Sequence, residues 1–136
     1  MPLNANFLQG GMGVEYVSSG TLTGGEIIEA NEKLYTRENL QKLRYKIIDR
    51  TACEEYRVTP DEIKIIADQD KTAAQINRKI IIVLVCTTPL QHGMTRMWQA
   101  YAEETGFETE IFSTRASADE WLCDRLHLPP GKCSAP

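Results

Sequence analysis

The seven residues Ile80 to Cys86, IIIVLVC, constrain the fold more than any other stretch of this chain. They are apolar at every position and rich in β-branched side chains, which favours an extended strand over a helix. A strand with one wet face alternates polar and apolar residues. This one does not, so both of its faces must be covered. The common solution is a central strand of a parallel sheet with helices packed against it. Seven residues are too few to cross a bilayer.

The flanking sequence supplies those helices and further strands. Gly10 to Gly13 reads as a turn, and Gly13 to Ser18 as a first strand. Thr23-Gly24-Gly25-Glu26 is a capping box ahead of a helical stripe of Ile27, Ala30 and Leu34. Tyr45 to Asp49 (YKIID) reads as a short buried strand. Thr59-Pro60-Asp61-Glu62 then opens a second helix, with Ile63, Ile66 and Ala67 facing the core and an end near Ile76. After the apolar strand, Thr88-Pro89 starts a third helix carrying Leu90, Met94, Met97, Trp98 and Tyr101 at helical spacing, stopped by Gly106. Phe107 to Phe112 alternates like a half-exposed edge strand and offers a place for dimerisation, with Glu108 and Glu110 opposing it. Ser117 and Glu120 read as the capping box of a last helix through Leu126. Strands and helices alternating with right-handed crossovers define an α/β fold, a mostly parallel or mixed sheet with about four helices. One domain over residues 1–128 and a flexible Pro/Gly tail over 129–136 are expected.

Charge and cysteines narrow the function classes. Fifteen Lys and Arg against nineteen Asp and Glu leave a net charge of −4. That argues against a nucleic-acid backbone as partner, which draws a basic patch. The opening MPLNANFLQGG lacks the charged start and apolar run of an export signal, so a cytoplasmic protein without a transmembrane segment is expected. Cys53, Cys86, Cys123 and Cys133 form no C-x-x-C pair. Cys123 and His127 share a face of the predicted last helix, but a zinc site would need another ligand from far away. Free thiols, no metal and no cofactor are the expectation.

In open α/β sheets ligands gather beyond the carboxyl ends of the strands. The candidates there are Asp49, Arg50 and Thr51 after one strand and Cys86 and Thr88 after another, with His92 and Arg96 one and two turns into the next helix. Together they would form a polar rim suited to a small anion. Enzyme signatures fail on inspection. Six residues after Cys86 stands His92 rather than the arginine of a thiol phosphatase, and Glu26-Ile27 occupy the Lys and Ser/Thr positions of a P-loop. Cys86 ahead of a helix N-terminus has the setting of a reactive thiol, but a cysteine ending an Ile/Val strand is more simply a small buried hydrophobe. No catalytic residue is assigned.

Four features in chain order carry a family resemblance. They are Ser19-Gly20-Thr21-Leu22-Thr23 before the first helix, the strand ending at Asp49, Gly93-Met94-Thr95-Arg96-Met97 in the third helix, and Ala118-Asp119-Glu120-Trp121-Leu122 at the close. The set resembles STAS-like domains, in particular the SpoIIAA-like group of small bacterial proteins, over about Val14 to Leu126. The resemblance implies a non-catalytic regulatory module of the anti-sigma-factor-antagonist kind, switched by phosphorylation of a D-S-S-G serine. Here the corresponding stretch, Asp49 to Pro60, holds no serine, and Thr59 is the only hydroxyl at the helix start. Thr59 reads first as an N-cap, beside Asp61 and Glu62 that would repel phosphate. The expected function is a binding module docking a protein partner or a second copy. A small anionic or lipid ligand is the alternative, and an enzyme using Cys86 ranks below both.

Overall fold

A computed structural model describes residues 2–136. It begins with strands β1 (Leu3–Leu8) and β2 (Gly13–Thr23), joined through a 3-10 turn at Gln9–Gly11. There follow α1 (Gly24–Leu34), α2 (Arg37–Lys42), β3 (Tyr45–Arg57), α3 (Pro60–Ile76), β4 (Ile81–Val85), α4 (Pro89–Tyr101), β5 (Glu108–Phe112) and α5 (Arg115–Arg125). The five strands lie in chain order across one sheet. β1 runs antiparallel to β2, and every later neighbour pair is parallel. The fold is α/β, with a mixed, mostly parallel sheet. No helix among the described residues is long and apolar enough to cross a membrane.

β4 shows why the sheet needs two covers. Ile82 and Leu84 enter a larger core with Ile27 and Leu34 of α1, Leu40 of α2, Ile63 and Ile66 of α3 and Trp98 of α4. Val83 and Val85 point the other way, into a smaller core with Tyr45 and Ile47 of β3 and Ala118 and Leu122 of α5. A parallel sheet that advances steadily in one direction by right-handed crossovers leaves its connecting helices on one face. α5, which follows the last strand and connects to no further one, closes the opposite face.

The two Thr-led capping boxes form as the sequence predicts. Thr23 accepts from the Glu26 amide while Glu26 accepts from the Thr23 amide, and Thr59 and Glu62 do the same. The third box does not form. α5 starts earlier, with Thr114 as N-cap accepting from the Ser117 amide at 3.1 Å, so Ser117 lies inside the helix. His127 lies beyond the helix end with φ 58°, off the face that carries Cys123. The sequence also misses β1 and the six-residue α2, both short and weakly patterned. β2 and β3 both outrun their predicted ends, because they pair with each other out to Thr23 and Arg57 through two register irregularities. The polar stretch after Asp49 is therefore strand, not loop. Its burial recurs at every third residue, Cys53 and Tyr56, so no period-2 signal announces it.

The last eight residues, read from composition as flexible, fold back onto α5. Cys123 and Cys133 form a disulfide, and Cys133 is fully buried. Free thiols were expected at all four cysteines; only Cys53 and Cys86 are free, both buried. No local spacing marks the pair, because its partners meet only once the chain reverses after α5. The Tyr45 hydroxyl donates to the Cys133 carbonyl at 2.6 Å, and the Gln9 amide donates to the Ala135 carbonyl at 3.0 Å. A Cβ at Gly13 would collide with the Tyr45 ring that makes this contact, so the start of β2 requires glycine.

Closing a short loop with a disulfide removes about 2–3 kcal/mol of chain entropy from the unfolded state. Reduction is expected to destabilise the protein by that amount, and Cys133→Ser by a similar amount, in urea unfolding followed with and without reductant. Identical curves would show that the tail is held by its other contacts alone.

Candidate functional site

Neighbours on a strand face opposite ways, and this divides the predicted rim. Asp49 faces α5. Its Oδ1 accepts from the Thr51 amide at 2.9 Å and the Thr51 hydroxyl at 2.6 Å, and its Oδ2 accepts from Arg115 at 3.0 Å. Arg115 also pairs with Glu15 at 2.8 Å and Asp119 at 2.9 Å, and donates to the Ser134 hydroxyl at 3.2 Å. Burial alone would raise the Asp49 carboxyl, but the hydrogen bonds from Thr51 and Arg115 outweigh it and hold the group below its ordinary value. The same three carboxylates keep Arg115 charged against its own burial. This cluster ties β2, β3, α5 and the tail together, and commits Asp49 to structure.

Arg50 turns to the helix-covered face, where it is 6% exposed. Its Nη1 donates to the Thr95 hydroxyl of α4 at 2.9 Å, and its guanidinium carbon lies 4.9 Å from the centre of the Tyr56 ring. Thr95 Oγ1 is in turn 3.4 Å from the Cys86 thiol. Arg50 and Cys86 thus meet through Thr95, which is not among the candidate rim residues. Cys86 is fully buried rather than presented at a rim. Thr88 caps α4 by accepting from the Gln91 amide at 3.2 Å, and Thr59 caps α3. Thr51 and Arg96 are exposed and His92 half-buried, and no hydrogen bond draws His92 or Arg96 to Arg50.

Beside Arg50 lies a polar network inside the larger core. Lys46, 2% exposed, donates to Asn31 Oδ1 at 2.9 Å and to the Tyr35 hydroxyl at 3.0 Å, with its ammonium over the Tyr16 ring. Asp70, 1% exposed, accepts from the Tyr35 hydroxyl at 2.6 Å and from Trp98 Nε1 at 2.7 Å. The Tyr16 hydroxyl completes the set by donating to Asn31 Oδ1 at 2.9 Å. Burial pushes the Lys46 ammonium down to about 8, against the attraction of Asp70. Burial likewise raises the Asp70 carboxyl, with Lys46, Tyr35 and Trp98 opposing. Two signals for this network stood in the sequence. Lys46 interrupts an otherwise apolar strand, and Asp70 falls on the α3 stripe of Ile63, Ile66, Ala67, Ala73 and Ala74. A cavity of about 20 Å³ adjoins the network, lined in part by Lys46, Arg50, Tyr56, Asp70, Thr95 and Trp98.

A second concavity lies at the sheet's edge, between β1 and α1. It has a volume of about 350 Å³, with apolar walls from Leu3, Ala5, Phe7, Val14, Ala30 and Leu34, and Glu26, Glu29, Lys33 and Asn39 also line it. Phe7 is 51% exposed there. β1, LNANFL, carries no charge. The opposite edge, β5, carries Glu108 and Glu110, and Glu108 pairs with Arg125 of α5 at 2.9 Å. Charge on an edge strand discourages pairing with another chain. By that measure β1 is the open edge and β5 the guarded one, the reverse of the edge chosen from sequence.

No protein-family model matches the chain, and no curated protein matches it significantly.

The Lys46 ammonium gives a signed pH dependence. Its folded value of about 8 lies below the ordinary lysine value of 10.5, so between those limits the unfolded chain holds more protons. The penalty for burying the charge is full below pH 8 and is relieved as pH rises. Stability attributable to Lys46 should therefore increase from pH 8 toward pH 10, above which tyrosine ionisation in the unfolded chain reverses the trend. In denaturant unfolding, Lys46→Met should flatten this rise, and NMR of the lysine ε-carbons should show one lysine titrating near 8. Asp70→Ala strands two buried donors and should cost about 3 kcal/mol.

Proposed function

We propose that this chain is a non-catalytic binding module of the STAS-like kind, which docks an extended segment of a protein partner along β1. The observation that carries this reading is the uncharged edge strand lying beside a largely apolar groove with Phe7 half-exposed in it. Strand addition draws affinity from main-chain hydrogen bonds along such an edge and specificity from pockets for alternate side chains. The groove beside β1 supplies such a pocket. A catalytic reading has less support, since the free thiols Cys53 and Cys86 are both buried. A phosphothreonine switch at Thr59 also has less support. The hydroxyl already caps α3, and the Glu62 carboxylate lies on the Thr59 amide at 2.9 Å, where it would repel a phosphate.

One observation favours a small-molecule reading as the second choice. At about 350 Å³ the groove reaches the lower end of the size of ligand pockets, roughly 300–1,000 Å³. Its apolar walls, with Glu26 and Glu29 outnumbering Lys33 among the charged lining residues, suit a lipid chain better than an anion.

Phe7→Lys places a charge on the open edge at little cost to folding, within about 0.5 kcal/mol for so exposed a side chain. In native mass spectrometry of protein purified from its own host, the expected result is a protein complex that this substitution abolishes. Hydrogen exchange should show the outward-facing β1 amides, those not bonded to β2, protected in the complex and unprotected in the variant. A bound species of lipid mass instead would favour the second reading. A bare monomer with freely exchanging outward-facing β1 amides would overturn both.

A further inference from the structure

The larger core contains two basic side chains, Lys46 and Arg50, and one acid, Asp70. Both Asp70 oxygens are engaged, by Tyr35 and by Trp98. Arg50 has no ion pair with any carboxylate among the described residues, although it is more than nine-tenths buried. Its Nη1 reaches Thr95, while its Nε has no hydrogen-bond partner. The Tyr56 hydroxyl, on a side chain 8% exposed, has none either. An unpaired buried cation and unsatisfied buried donors are each expensive, and native interiors pair them with something.

Arg50 and Tyr56 both line the cavity of about 20 Å³. By the same measure a water-sized occupant needs about 10–15 Å³. The space is therefore large enough for a water-sized or monatomic species. The free groups are a guanidinium N–H and a phenol O–H, two donors, and the surrounding charge is one cation in excess. We propose that this cavity binds a single monovalent halide-sized anion, held by Arg50 Nε and the Tyr56 hydroxyl. The site stands apart from the β1 groove, and the docking reading can fail without affecting it. An anion there would neutralise Arg50, the β3 side chain whose guanidinium also donates to Thr95 of α4.

Bromide is the probe. Crystals of the full chain soaked in sodium bromide should give an anomalous peak within hydrogen-bonding distance of Arg50 Nε and the Tyr56 hydroxyl oxygen. In solution, an anion that binds only the folded state raises its stability by mass action. Replacing gluconate by chloride or bromide at constant ionic strength should raise the melting temperature by roughly 3–6 °C. Tyr56→Phe, which keeps the ring beneath Arg50, should fold and lose most of this halide-specific shift. Arg50→Met should lose all of it. A cavity without the bromide peak overturns the proposal whatever the melting curves show, and leaves the two donors to share a water. A Tyr56→Phe variant with an undiminished shift also overturns it, since the halide would then be binding elsewhere.

Discussion

The two-sided burial of β4 is the constraint on which the rest of the structure depends. A strand apolar on both faces must have a layer above and below it. The connecting helices all fall on one side of a sheet that winds in one direction, so they can satisfy only one of those faces. The other falls to α5, the one helix free of connecting duty, and to the tail that reverses after it. The Arg115 cluster, the Tyr45 contact to Cys133 and the Cys123–Cys133 disulfide all serve that second cover. Val83 and Val85 stay dry because this small layer is anchored on three sides.

The larger core makes a different compromise. Lys46, Arg50 and Asp70 occupy positions where aliphatic side chains would pack at no electrostatic cost. The lysine and the aspartate are reconciled by Tyr35, which accepts from one and donates to the other, so their charges are coupled without direct contact. Such a network loses heavily if any member is removed, because its partners are stranded in a low dielectric. It also joins β3, α1, α3 and α4 through directional bonds that a purely apolar core lacks. Arg50 is the member whose bonds the chain itself does not complete.

Legibility followed the range of the interactions. Thr23 and Thr59 announce their helices because a capping box is complete within four residues. Ile80 to Cys86 announces a buried strand because composition alone requires it. Asp70 and Lys46 were visible as polar residues on apolar tracts, yet nothing local shows that they face one another across the core. Asp49 and Arg50 looked like one rim because they are adjacent, but strand alternation sends them to opposite faces. Once the polar stretch after Asp49 proves to be strand, the rim dissolves. β1 alternates over only five residues, Leu3 to Phe7, and the apolar Leu3, Ala5 and Phe7 border a groove while only Leu8 enters a closed core. Its signal was correspondingly weak.

By itself the sequence determined an α/β chain, the positions of its two boxed helices and the central buried strand, since each rests on contacts within a few residues or on hydrophobicity alone. Tertiary structure decided which face each strand residue serves, which sheet edge stays open, which cysteines pair and which charges share a cavity. Those outcomes depend on residues as far apart as Gln9 and Ala135, or Glu15 and Arg115, meeting in space. No local preference encodes such a meeting; only the closure of the whole chain around β4 brings it about.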